Sequence, residues 1–121
     1  MDIFSREIRE MSLFSGIGGG VLGGKLSGFR TVCYVEWSKH CQQVLSQRIK
    51  EGVFDDAPIW DDIRTFNGRE WTGLVDVVTA GFPCQAFSFA GKRVGKGSDE
   101  NMWPDTVRVI GEVRPVWCLL E

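Results

Sequence analysis

Apolar positions run along the chain in short blocks, and the blocks alternate between a compact strand-like pattern and a helical period. Met11, Leu13 and Phe14 are followed by Ser15-Gly16-Ile17-Gly18-Gly19-Gly20, which predicts a buried strand, a glycine turn and a helix reaching about Gly28. Arg30 to Glu36, with Val32, Tyr34 and Val35, reads as a second strand closed by a carboxylate. Ser38 is a good N-cap, Cys41, Val44, Leu45 and Ile49 repeat at helical spacing, and Gly52 supplies the stop. Pro58 to Ile63 predicts a short third strand ending at the pair Asp61 and Asp62, and Asn67 to Thr72 one helical turn. Val75, Val77, Val78 and Ala80 have the uniform apolarity of a central parallel strand covered on both faces. A helix is expected from about Trp103, with Pro104 in its first turn and Val107, Ile110 and Val113 on one face. Val116 to Leu120 then gives a fifth strand. Strand and helix in alternation predict an α/β fold with a doubly wound, mostly parallel sheet. The charged stretch Met1 to Glu10 reads as a flexible lead, leaving residues 11–121 as one folded unit.

Composition narrows the class without changing this picture. A chain of 121 residues with 43% hydrophobic and 25% charged residues is a single-domain chain, and disorder, collagen and coiled coil are excluded. No apolar run approaches the roughly 18 residues of a membrane span, and the start lacks a signal-peptide pattern, so a cytoplasmic protein with no membrane partner is expected. Cys33, Cys41, Cys84 and Cys118 lack paired zinc-type spacing, so reduced thiols and no metal are expected. Of these, Cys33, Cys41 and Cys118 fall at apolar positions within elements and read as small buried hydrophobes. A net charge of −2 and a pI near 5.4 do not announce a nucleic-acid binder. DNA contact would need a local basic cluster or another domain, and Lys92, Arg93 and Lys96, in the glycine- and serine-rich stretch Gly91 to Ser98, form such a cluster.

In doubly wound sheets, ligands bind at the carboxyl ends of the strands. The residues predicted there are the glycine turn, Glu36, Asp61 or Asp62, Cys84 and Glu121. A glycine turn lets backbone approach a ligand and aims helix N-terminal amides at it, while a carboxylate after the second strand can accept from ribose hydroxyls. Together they describe a nucleoside-containing cofactor. Gly18, Gly20 and Gly23 satisfy G-x-G-x-x-G, with Glu36 roughly 20 residues on, which keeps a dinucleotide-binding oxidoreductase in view. Gly23 and Gly24 serve equally well as sites of close helix-to-sheet packing. Cys84 follows Pro83 at a strand end, where its side chain meets the ligand edge, making it the candidate nucleophile. His40, the one histidine, falls early in a helix and suits exposure or packing better than catalysis.

Phe14-Ser15-Gly16-Ile17-Gly18-Gly19, Glu36-Trp37, Asp62-Ile63, Gly81-Phe82-Pro83-Cys84-Gln85-Ala86-Phe87-Ser88, Trp103-Pro104, Arg114-Pro115 and Leu119-Leu120-Glu121 resemble, in order and spacing, the first six motifs of DNA (cytosine-5) methyltransferases. The resemblance covers about residues 11 to 121 and implies a Rossmann-like fold dependent on S-adenosylmethionine. It implies that Cys84 adds to C6 of cytosine and that Glu121 contacts N3 and the exocyclic amine. Cofactor contacts implied by the same matches are Phe14, Gly16, Ile17, Gly18, Glu36 on the ribose, Trp37 stacked on adenine, Asp62 on the adenine amino group, Ile63, Pro83 and Met102. The implied partner is double-stranded DNA with a flipped cytosine, met by Gln85, Ser88, Lys92, Arg93 and Lys96, in a prokaryotic or phage-like restriction-modification setting near the nucleoid.

Two features depart from the family pattern. The arginine often found in the segment here written Asp99, Glu100, Asn101, Met102 is missing. The chain also stops at Glu121, before the family's target-recognition domain and its last motif. A fragment or one part of a split protein is therefore expected, inactive alone and completed by a C-terminal half, with a non-catalytic cofactor- or partner-binding remnant as the alternative.

Overall fold

A computed structural model describes residues 7–81 and 102–121. Five strands form one sheet in the order β3-β2-β1-β4-β5, every neighbouring pair parallel. They are β1 (Ile8–Leu13), β2 (Phe29–Val35), β3 (Ile59–Trp60), β4 (Val77–Ala80) and β5 (Trp117–Leu120). The chain winds outward from β1 through β2 to β3, then returns to lay β4 on the other side of β1. Strand order therefore reverses between β1 and β4, the position where such sheets open a crevice at their carboxyl ends.

Helices α1 (Gly19–Leu26) and α2 (Lys39–Lys50) cover one face, where Val21 and Leu45 pack with Tyr34 and Phe54. Helix α3 (Trp103–Val113) and two 3-10 turns, Ile63–Thr65 and Gly68–Trp71, cover the other. There Ile63, Phe66, Val109 and Val113 pack on Met11, Leu13, Cys33, Val35, Val78 and Ala80. A register shift after Glu10 pairs Glu10 with Thr31 but Met11 with Cys33, so Val32 is the extra residue that turns Cys33 to the face of Met11. The local stops fall as expected: Ser38 Oγ accepts the Cys41 N–H at 3.3 Å, and Gly52 takes φ 78° just past the end of α2.

Four sequence expectations are corrected. The lead does not extend to Glu10, because Ile8 to Glu10 already belong to β1. Arg9 is fastened there through Nε and Nη2 to Asp76 at 3.1 Å each, with its backbone N–H on the same carboxylate at 2.8 Å. The third strand is only two residues long, because Asp62 turns the chain by accepting the Arg64 N–H at 2.9 Å. Ile63 consequently lies in a 3-10 turn. Helix α3 buries Thr106, Val109 and Val113, while Val107 is exposed. Cys118 is exposed on the edge strand β5 and Cys41 is half-buried, so only Cys33 of the three is a core thiol, its pKa pushed up to about 12 by desolvation.

Candidate functional site

The site is built from the residues just past the carboxyl end of each strand. After β1 the backbone enters the left-handed region at Phe14 (φ 55°), Gly16 (φ 60°) and Gly18 (φ 97°). For Phe14, which carries a Cβ, that conformation costs about 1 to 2 kcal/mol. Gly18 is required twice, by its φ and because a Cβ there would lie 2.3 Å from the Phe54 ring. Ser15 braces the bend, its Oγ donating to the Ser12 carbonyl at 3.0 Å. Helix α1 then starts without a side-chain cap, leaving its first amides to another acceptor.

After β2, Glu36 ties the glycine bend to α2. Its Oε1 accepts the Gly16 N–H at 2.7 Å and its Oε2 the Ser38 N–H at 2.7 Å. Each oxygen keeps capacity for a further donor. Gln42 Nε2 holds the segment by donating to the Glu36 carbonyl at 2.7 Å and that of Trp37 at 3.3 Å. Trp37 is 66% exposed, so its indole is not part of the core and presents its surface at this edge.

After β3, Asp62 caps the first 3-10 turn. Hydrogen bonds from the Arg64 side chain hold its carboxyl below the usual carboxylate range. Ile63 is buried in the core, so it shapes the floor of this region from beneath. After β4 comes Gly81, and after β5 Glu121, whose N–H donates to the Ala80 carbonyl at 3.0 Å. Met102, half-buried at the N-cap of α3, packs against the apolar cluster that Phe14 also borders.

A cavity of about 710 Å³ connects Phe14, Ser15, Gly20, Gly81 and Glu121, and continues inward to Thr79 and Glu10. The structure thus brings Phe14 and Glu121 to one cavity, joins Gly16 to Glu36 directly, and joins Asp62 to Trp37 through Arg64, whose guanidinium carbon lies 5.2 Å from the indole centroid. Glu36, Trp37 and Asp62 lie outside the cavity lining. Ile17 is exposed on the bend and His40 is exposed at the start of α2. Cys84, Pro83, Gln85, Ser88, Lys92, Arg93 and Lys96 fall outside the described residues.

Of the two glycines open to a packing role, Gly24 has it, since a Cβ would meet Phe29 at 3.0 Å and Glu10 at 3.1 Å, whereas Gly23, in the dinucleotide fingerprint, has no such neighbour. Sequence reasoning missed two arginines. Arg64 carried a local signal, its position two residues after a capping aspartate. Arg108 carried none: it donates to the Ile63 carbonyl at 2.6 Å and the Phe66 carbonyl at 2.9 Å from more than 40 residues away, anchoring the turn beyond Asp62 to α3. Among the described residues there is no cluster of metal-ligating side chains, and no helix is long and apolar enough to cross a membrane.

The family model described as C-5 cytosine-specific DNA methylase matches residues 8–121. The chain is 34% identical over 115 residues to the Type II methyltransferase M.CviJI of Paramecium bursaria Chlorella virus IL3A, covering 93% of this chain and 29% of that protein. It is 34% identical over 119 residues to the Type II methyltransferase M.PspPI of Psychrobacter sp. (strain TA137), covering 97% and 27%. It therefore spans under a third of either relative's length. Among solved structures, an Escherichia coli prophage protein described as a DNA modification methyltransferase superposes with a TM-score of 0.69 at 23% identity, over 94% of this chain and 31% of that one, a likeness of fold.

Proposed function

The chain belongs to the C-5 cytosine-specific DNA methylase family, and from that premise we propose that it is the cofactor- and base-binding part of a DNA (cytosine-5) methyltransferase that uses S-adenosylmethionine. The observation that carries this reading is the Glu36 carboxylate, fixed by the Gly16 and Ser38 amides at the carboxyl edge with acceptor capacity to spare. That donor-poor, acceptor-rich position fits a ribose diol, and the exposed Trp37 beside it fits an adenine ring.

In this reading Asp62 accepts from the adenine amino group, Phe14, Gly16, Ile17 and Gly18 border the rest of the cofactor, and Ile63, Pro83 and Met102 close the pocket. Bound there, S-adenosylmethionine supplies an electrophilic methyl group. The chain's own chemistry activates the base: the Cys84 thiolate bonds to C6 of cytosine and the ring electron pair shifts toward C5, which becomes nucleophilic. Glu121 holds the protonated N3 edge and so stabilises the electron-rich ring. The loss of the C5 proton to a base then lets the C6–sulfur bond break. Flipping the cytosine from double-stranded DNA costs a few kcal/mol, and in this reading Gln85, Ser88, Lys92, Arg93 and Lys96 meet the strand. Residues 8–121 here supply the cofactor- and base-binding part of the catalytic domain.

Two experiments test the reading. Glu36→Ala is expected to weaken S-adenosylmethionine binding, measured by calorimetry, by about 1 to 3 kcal/mol through loss of charged hydrogen bonds. Unchanged affinity would refute the ribose assignment. In the chain mixed with a complementary half, DNA carrying 5-fluorocytosine should form a denaturation-resistant adduct that Cys84→Ser abolishes, because fluorine blocks the final elimination. An adduct that survives the substitution rules out Cys84 as nucleophile, and a mixture that binds cofactor without any adduct favours the non-catalytic remnant.

A further inference from the structure

Arg64 is not among the residues the family pattern brings to the site, yet it touches both groups assigned to the adenine. Its backbone N–H and Nε donate to Asp62 Oδ1 at 2.9 and 3.0 Å, its Nη2 donates to Oδ2 at 3.1 Å, and its guanidinium lies against Trp37. Asp62 is also pinned through its backbone. Its carbonyl accepts from Trp60 Nε1 at 2.9 Å and from the Thr65 N–H and Oγ1 at 3.0 Å each. The carboxylate therefore has one orientation. Two donors fill Oδ1, while Oδ2 receives a single donor among the described residues and keeps a lone pair for an incoming one.

We propose that Arg64 is a positioning residue that holds Asp62 as an acceptor-only partner for one exocyclic amino group, and so selects a 6-aminopurine nucleoside over a 6-oxopurine at the Trp37 surface. The inference rests on the cofactor reading above. An ionised, fixed carboxylate has no proton to give, so a 6-oxo group facing it meets a like partial charge. A carboxyl free to rotate or to hold a proton could donate to that oxygen and would tolerate it. Arginine suits this task better than lysine, because its planar fork reaches both carboxylate oxygens while its flat face lies on an aromatic ring. Most of Trp37 stays exposed despite the guanidinium, which leaves indole surface for a purine.

The test is a titration of the isotope-labelled chain with S-adenosylhomocysteine and S-inosylhomocysteine, monitored by amide chemical shifts. The wild type should favour the adenosyl compound by about tenfold or more, as expected for one charged hydrogen bond. Arg64→Met should compress that preference to about threefold or less with spectral dispersion intact, and Arg64→Lys should recover part of it. Asp62→Asn, whose amide can donate, should erase or invert the preference. A preference that survives Arg64→Met, or equal weakening of both ligands, overturns the inference and leaves Arg64 a structural brace. A wild-type chain that binds neither ligand refutes the cofactor reading itself, and this inference with it.

Discussion

The central strands β1 and β4 present opposite chemistry on their two faces. Toward α3 they turn Met11, Leu13, Val78 and Ala80, none more than 2% exposed. Toward α1 they turn Glu10, Ser12, Val77 and Thr79. Glu10 is only 1% exposed, and its carboxyl accepts from Thr31 Oγ1 at 3.0 Å and Thr79 Oγ1 at 2.6 Å, joining three strands. No ion pair among the described residues reaches it. The α3 face therefore spends its area on packing, whereas the α1 face gives up apolar burial for a hydrogen-bonded network and a cavity that runs out to Phe14 and Glu121. On the central strands, apolar packing and the polar cavity thus lie on opposite sides of one sheet.

The sharpest way to break this division is to remove packing from the α3 face. Met11→Ala should destabilise the chain by about 2 to 5 kcal/mol in urea denaturation, the cost of a large buried side chain plus the cavity it leaves. A smaller loss is expected on the α1 face. Thr79→Val removes one hydroxyl donor to Glu10 while keeping the shape, and should cost about 1 to 2 kcal/mol, because the buried carboxyl loses a partner. If Met11→Ala costs no more than Thr79→Val, the apolar face is not where stability resides.

How much of this was legible depends on the reach of each interaction. Ser38, Gly52, Gly16, Gly18 and Glu36 could be read because caps, stops and strand-end chemistry depend on residues a few positions away. The start of β1 could not, because Arg9 and Glu10 look like solvated charges until Asp76, Thr31 and Thr79 arrive from other strands. The buried face of α3 was misassigned because Thr106 satisfies its hydroxyl on its own helix, donating to the Met102 carbonyl at 2.7 Å, and so buries where a more apolar Val107 was expected. At the site, Glu36 and Asp62 were visible as strand-end residues, and Trp37 through the family resemblance. The link between Asp62 and Trp37 was not, since Arg64 becomes part of the site only when the 3-10 turn carries its guanidinium onto both.

The smallest predicted effect separates a neutral from a charged Glu10. Burial raises its pKa above the ordinary 4.5, with the hydrogen bonds from Thr79 and Thr31 opposing that rise. The folded state therefore holds this proton to higher pH than the unfolded chain does. Its contribution to stability is fully present below about pH 4.5 and is lost as pH rises through the raised value. Glu10→Gln keeps the shape and an acceptor but cannot titrate, so the stability of wild type relative to the variant should fall across that window and level off above it. Urea midpoints of both proteins from about pH 4 to about pH 8 measure this directly. A difference that stays flat, or that grows in favour of wild type as pH rises, would mean that the carboxylate is stabilised in its charged form, and the α1 face would then have to be counted as an ionic site instead of a neutral polar seam.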